Sequence, residues 1–223
     1  SCLLQNDTSL RYEVIVVDDG SKDETPLILE KLNNKLLRKF RIENSGIEIA
    51  SNFGFSKARG KYIVRVDADD KLSPNYLNSM HKNIEKKYDF YYPDYEVING
   101  DGNVISHMDL PEFNANEIRK RGDFLATGTL FSAEALKALC YYSEETKNSG
   151  LENYELMLRL LDKERLGKHV PQYLFCYRRH TLNISVSQND QIIRNGEELF
   201  QRFGLGEYVT NAYHPYNPPE NLS

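Results

Sequence analysis

Two acidic clusters hold the residue types with the clearest chemical potential. Asp67, Asp69 and Asp70 stand together in Val66-Asp67-Ala68-Asp69-Asp70, and Asp18-Asp19 precede Gly20-Ser21. On an extended backbone, side chains at i and i+2 point to the same side, so Asp67 and Asp69 present two carboxylates where a strand ends. Hard oxygens in that arrangement suit Mg²⁺ or Mn²⁺, which bind one or two carboxylates and complete their shell with phosphate oxygens and water. A metal-diphosphate site is the functional reading, and a solvated acidic turn is the plain alternative of about equal weight for the DxDD letters alone.

Other acidic motifs fit less well. An EF-hand counted from Asp67 needs glycine at its sixth position and glutamate at its twelfth, where the chain has Leu72 and Asn78. An aspartyl phosphatase of the DxDx[TV] type has Lys71 where Thr or Val belongs. A phosphoacceptor receiver matches the placing of Asp18/Asp19 and Asp67, but it is about half this length and lacks the second half of the chain.

The elements that must position these carboxylates follow from periodicity. Tyr12 to Val17 is a β-branched run ending in a polar turn, and Lys22 to Arg38 has leucines at roughly helical spacing with Pro26 in its first turn. A short strand at Phe40 to Ile42, a helix over Gly46 to Arg59 and a strand at Tyr62 to Val66 complete a βαβαβ pattern. That grammar predicts a parallel sheet covered by helices, with ligands gathering beyond the strand C-termini. Both acidic clusters lie at such ends and are expected to face one crevice. A helix capped by Ser73 runs to about Lys86, and Asn99-Gly100-Asp101-Gly102 is a hairpin turn between Val97-Ile98 and Val104-Ile105. Further helices are expected at Ser132 to Tyr141, Leu151 to Arg165 and Gln191 to Phe203, with an extended stretch at His169 to Arg179 and an irregular tail over 206–223.

Composition narrows the class. The 223 residues are 40% hydrophobic and 27% charged, without the run of about 18 apolar residues that a membrane span needs. With 28 basic and 33 acidic residues the net charge is -5, which argues against nucleic acid as a partner. Three widely spaced cysteines, Cys2, Cys140 and Cys176, indicate neither a disulfide framework nor a zinc site, so a reducing, cytoplasmic location is the default.

Several linked stretches resemble one family. These are YEVIVVDDGSKDET (12–25), ENSGIEIASNFGFSKARGKYIVRVDADDKLSPNYL (43–77), GTLFSAEALKAL (128–139), LENYELMLRL (151–160) and VPQYLFCYRRH (170–180). In this order and spacing the chain resembles the glycosyltransferase family 2 group of GT-A fold nucleotide-sugar transferases. The resemblance implies an α/β fold with a mostly parallel, Rossmann-like sheet flanked by helices and a mixed acceptor-side half. One domain over 1–205 is expected, with a nucleotide-binding half at 1–87 and an acceptor half at 88–205.

The resemblance also implies roles. Asp18 and Asp19 would bind the base and ribose, and Asn44 and Asn52 would border the donor pocket. Asp67, Asp69 and Asp70 would hold Mg²⁺ or Mn²⁺ on the donor diphosphate, with Asp69 the first choice. His180, in Tyr177-Arg178-Arg179-His180, would close over the diphosphate, against a plain reading as a surface histidine. The implied reaction is metal-dependent, inverting transfer of a sugar from a nucleotide-diphosphate donor to a hydroxyl of a carbohydrate or glycoconjugate acceptor, as in polysaccharide synthesis. Peripheral membrane association and a homodimer stay open as partnerships.

The departures are informative. An opening strand and loop of the form VSVIIPxYN is expected before Ser1, and Ser1 to Gln5 reads as the end of the helix after it, so the chain is expected either to be truncated or to lack part of its donor site. Ser51 replaces an arginine that would partner the acidic motif. The family base, the second residue of a Glu-Asp pair at a helix start, is here Asn153, and an amide is no proton acceptor. Glu152 is the substitute base, but Ser149-Gly150-Leu151-Glu152 also fits a capping box in which Glu152 would bond back to the cap. A related nucleotidyltransferase, or an impaired transferase-like binding domain, are the alternatives. The aromatic run Tyr88 to Tyr95 fits either an acceptor wall or the core.

Overall fold

The first βαβ unit forms where its periodicity places it. A computed structural model describes residues 1–6, 9–121, 125, 127–146, 148–180, 183 and 188–208. Strand β1 (Val14–Asp19) pairs in parallel with β2 (Leu37–Ile42) in the register Val14↔Leu37 to Asp19↔Ile42. Helix α1 (Thr25–Lys31) is shorter than its leucines predict and has no buried residue. Asn34 explains the early stop: its side chain accepts the Leu36 amide and its carbonyl accepts the Leu37 amide, an Asx turn that redirects Leu37 into β2.

Helix α2 (Ile47–Lys57) packs on β1. Gly54 makes this close approach possible, since a Cβ there would stand 3.4 Å from Val17 Cγ2. The other side of α2 meets Tyr141, Tyr142 and Asn148: Phe55 lies 5.4 Å, centroid to centroid, from Tyr142.

The expected three-stranded parallel sheet does not form among the described residues. Strand β3 (Tyr62–Val64) pairs antiparallel with β7 (Leu130–Ser132) and belongs to a second, six-stranded sheet, while β1 and β2 stand apart as a two-stranded one. With β4 at Lys71–Leu72, β5 at Phe90–Ile98, β6 at Val104–Met108 and β8 at Gly167–Arg178, the second sheet has the order β3-β7-β5-β8-β4, with β6 on β5. It is mixed: β5 (Phe90–Ile98) and β8 (Gly167–Arg178) are parallel, and the other pairings are antiparallel. The sequence predicts βαβ order but not edge partners. Apolar β3 finds its neighbour in β7, a segment almost seventy positions away that no local pattern links to it.

The hairpin prediction holds, with Ile98 paired to Val104 at the start of β6 (Val104–Met108) and Asn99 Oδ1 accepting the Asp101 and Asn103 amides. Pro93 sits inside central β5, and the β5–β8 register shifts there, as a residue without an N–H requires. Helices α3 (Tyr76–Asn83), α5 (Ala133–Ala138) and α6 (Glu152–Asp162) lie within their predicted spans, as does most of α7 (Asn189–Phe203); α4 (Ala115–Arg121) is an addition. Ser132 caps α5 by accepting the Ala135 amide at 3.1 Å.

The tyrosine-rich segment is core. Phe90, Tyr91, Tyr92 and Tyr95 are at most 1% exposed and pack with Phe131, Leu156 and Phe175, so they do not form an acceptor wall. A smaller core joins α6 to α7 through Leu158, Ile192 and Phe200. Residues 1–6 are turn rather than helix, and the Gln5 side chain bonds Ser73 O and Leu77 N. The three cysteines are free. Residues 209–223, most of the expected tail, lie outside the described residues. Among the described residues no helix is long and apolar enough to cross a membrane.

Candidate active site

The two carboxylates at the end of β1 have different environments. Asp19 accepts the Ser45 amide on Oδ1 at 2.8 Å and the Gly46 amide on Oδ2 at 2.9 Å, at the N-terminus of α2, where an anion is favoured. Asn44 donates its side-chain amide to Asp19 O at 3.0 Å. Asp19 and Asn44 therefore brace the loop from β2 to α2. Asp18 accepts the Ser21 amide on Oδ1 at 2.8 Å, and hydrogen bonding from Ser21 holds its carboxyl below the usual range. Its Oδ2 is buried without a hydrogen bond, 3.5 Å from Arg41 Nη1.

Gly20 makes the tight exit from β1, with φ of 73° and only 2.7 Å between a built Cβ and Asn44 N. Gly20→Ala combines a left-handed backbone with a clash against main chain. It is expected to cost about 1–3 kcal/mol, read as a melting-temperature drop of about 2–4 °C per kcal/mol at this size.

The acidic turn lies between β3 and the short β4 (Lys71–Leu72), whose partner is the end of β8. Each of its carboxylates meets a different partner. Asp67 is gripped on both oxygens by Arg65, with Nε to Oδ1 at 2.8 Å and Nη2 to Oδ2 at 3.0 Å. Asp70 is buried; it accepts the Arg178 amide at 2.8 Å and the Thr127 hydroxyl at 3.1 Å, and burial pushes its pKa up to about 7. Asp69 is the most available, with its Oδ2 3.1 Å from His180 Nε2 and its carbonyl accepting Arg178 Nε at 2.7 Å. Asp69 and His180 are 111 positions apart in sequence, brought together by the β4–β8 pairing.

Asn52 does not face an open pocket. It donates to Tyr142 O and accepts the Tyr142 amide, both at 2.9 Å, tying α2 to the segment after α5. Glu152 does not cap its helix. Helix α6 starts at Glu152 without a side-chain cap, Ser149 Oγ accepts the Leu151 amide, and the Glu152 carboxylate reaches Arg65 Nη1 at 2.7 Å. The capping box is thus absent: the helix begins later than the S-x-x-E spacing requires. Asn153 Oδ1 accepts the Tyr142 hydroxyl at 2.6 Å, and burial raises the Tyr142 pKa to about 12.

Glu48 lies close to this cluster. It is 1% exposed; Oε1 accepts the Asn148 amide at 2.7 Å, and Oε2 has no hydrogen bond. Burial, and secondarily the charge of Glu152, raise its pKa. The folded protein thus binds a proton that the unfolded chain releases, so stability falls as pH rises above the ordinary glutamate range. Glu48→Gln removes the ionisation cost. Its melting temperature is expected to exceed the parent's by about 2–4 °C at pH 8, with a smaller difference at pH 5.

The residues missed from sequence are Arg65, Thr127, Tyr142 and Arg178. Arg65 had a legible signal: a charge inside an apolar strand, two positions before Asp67 and so on its side of the backbone. The others carry no local mark, because their partners come from distant segments.

Solved structures place the architecture. The S. aureus TarS fragment 1-349, in the crystal structure in complex with UDP-GlcNAc, superposes with a TM-score of 0.71 at 20% identity, over 93% of this chain and 62% of that one. The topology is that of an α/β protein of the GT-A fold. The sequence profile of Glycosyl transferase family 2 matches residues 1–139. The chain belongs to that family. Curated relatives include a chondroitin synthase of Pasteurella multocida (strain Pm70), 29% identical over 85% of this chain and 20% of that protein. A hyaluronan synthase of Pasteurella multocida is 29% identical over 82% and 19%, and the putative glycosyltransferase EpsH of Bacillus subtilis (strain 168) is 27% identical over 95% and 63%. The chain thus spans about a fifth of the length of each of these two synthases.

Proposed function

We propose that this chain transfers a sugar from a uridine diphosphate donor to an acceptor hydroxyl, in synthesis of a polysaccharide or glycoconjugate. The observation that carries this reading is the convergence of Asp69 and His180 at the end of the acidic turn, where Arg65 already holds Asp67 and the Arg178 amide and Thr127 hold Asp70. The donor set fits a divalent cation. Among the described residues no group of three or more His, Cys, Asp or Glu is placed to hold a metal, so Asp69 and His180 would hold it as a pair and donor phosphate oxygens would complete its shell. When bound, Mg²⁺ or Mn²⁺ supplies Lewis-acid neutralisation of the leaving diphosphate.

The remaining work falls to the chain's own groups. Asp18 Oδ2, buried and lacking a hydrogen bond, suits the ring N–H of a base, and UDP is the nucleotide bound by the TarS relative. Asp19 and Asn44 keep the loop over residues 43–46 in place beside it. Glu152, the carboxylate at the start of α6, is the group we assign to take the acceptor proton. Residues 1–87 act as the nucleotide half and 88–205 as the acceptor half.

Thermal unfolding with UDP, GDP, CDP and dTDP, each with and without Mn²⁺, tests the reading. Ligand at about 100 times its Kd stabilises by about 2.7 kcal/mol, a shift of several degrees. A shift with UDP that needs Mn²⁺ is expected; no shift with any nucleotide would overturn the donor site. Asn153 favours a second reading, a donor-binding domain without transfer, because its Oδ1 only accepts from Tyr142. That reading predicts the same UDP shift without release of UDP from any UDP-sugar.

A further inference from the structure

Arg65 stands outside the roles the family resemblance assigns. Its side chain is 10% exposed, and a guanidinium so buried needs partners for its fixed fork of donors. It has them on two sides. Nε and Nη2 hold both oxygens of Asp67 at 2.8 and 3.0 Å, while Nη1 reaches Glu152 Oε1 at 2.7 Å. Nη1 is also 3.4 Å from the Tyr142 hydroxyl, which donates to Asn153. The backbone is pinned as well, since the Gly128 amide donates to Arg65 O at 3.0 Å.

A single side chain therefore ties the acidic turn to the start of α6, 87 positions away. The arginine expected at position 51 is serine here, so the guanidinium beside the acidic motif comes from β3's end rather than from α2. We propose that Arg65 is a positioning residue: it holds the Glu152 carboxylate in register with the acidic turn, whose Asp67 it grips on both oxygens. The proposal rests on the transferase reading and adds a residue to it. The planar fork matters as much as the charge, because an ammonium is a point donor that cannot grip one carboxylate bidentately and reach a second in the same geometry.

The test measures UDP release from UDP-hexoses, UDP-N-acetylhexosamines and UDP-uronic acids in Mn²⁺, with the Kd of UDP measured alongside by calorimetry. The variants are Arg65→Lys, Arg65→Met, Glu152→Gln and the two Arg65 changes combined with Glu152→Gln. Arg65→Lys keeps a cation among the buried carboxylates and is the variant that decides if Arg65→Met does not fold. It is expected to lower kcat about tenfold or more while the Kd of UDP stays within about threefold. In the Glu152→Gln background the same change is expected to have little further effect, because Arg65 acts through Glu152. A purely structural role would instead scale both backgrounds alike. Losses that multiply, a loss of UDP affinity matching the loss of kcat, or an unchanged kcat in Arg65→Lys would each overturn the proposal alone. No release from any donor by the unaltered chain would overturn the transferase reading, and this proposal with it.

Discussion

Asp69→Ala is expected to abolish Mn²⁺-dependent UDP binding, with Kd rising about 100-fold or more, equivalent to about 2.7 kcal/mol. Asp69 is the one carboxylate of the turn that is neither gripped by a guanidinium on both oxygens nor buried, and its Oδ2 faces His180 Nε2 at 3.1 Å. In the proposed site, removing it would leave His180 as the single protein ligand. Asp70→Asn is the contrast. With its pKa pushed up to about 7, Asp70 is already partly neutral at physiological pH. An amide preserves both of its bonds, since the oxygen accepts the Arg178 amide and the nitrogen donates to the Thr127 hydroxyl. Binding in Asp70→Asn is expected within about threefold of the parent, so calorimetry of UDP with Mn²⁺ on the two variants is decisive. Equal loss in both would remove Asp69 from its assigned role.

Glu152→Gln is expected to lower transfer by about 10²- to 10⁴-fold, the range for a lost general base, with the Kd of UDP nearly unchanged. The amide keeps an acceptor for Arg65 Nη1 but takes no proton. The side chain is 8% exposed, so in the proposed reaction an acceptor hydroxyl must reach a largely buried carboxylate. Asn153→Asp separates the two neighbouring positions. In the parent, Asn153 Oδ1 is the acceptor of the Tyr142 hydroxyl, and an aspartate keeps that bond while adding a charge next to Glu152. A rise in transfer above about tenfold would move the base to position 153, and an unchanged rate keeps it at Glu152.

Much of the architecture was legible locally. The β-branched run before Asp18 and the hairpin signal at Asn99 to Gly102 each formed where short-range patterns place them, because backbone propensity and turn chemistry act over a few residues; Ser73, the expected cap of α3, is not one, since that helix starts after Asn75 without a side-chain cap. Other expectations failed where a distant partner prevailed. The periodic leucines of the first helix end at Lys31 because Asn34 turns the chain and β1 offers an edge for Leu37. The tyrosines of β5 are core because side chains of distant segments, among them Tyr62, Phe131, Leu156 and Phe175, pack with them.

The same division runs through the site. That carboxylates would gather at strand ends, and that His180 would matter to them, follows from residue type, spacing and family resemblance. The resemblance also put Asp69 first among the three, but the physical reason is not in the letters, since Asp67, Asp69 and Asp70 are nearly equivalent as residue types. They differ because Arg65 closes on Asp67, the Arg178 amide and Thr127 enclose Asp70, and His180 arrives beside Asp69. Electrostatic interactions fall off with distance and depend on burial, so the character of each acid is set by groups the chain brings near it only once β4 and β8 have paired and α6 has packed.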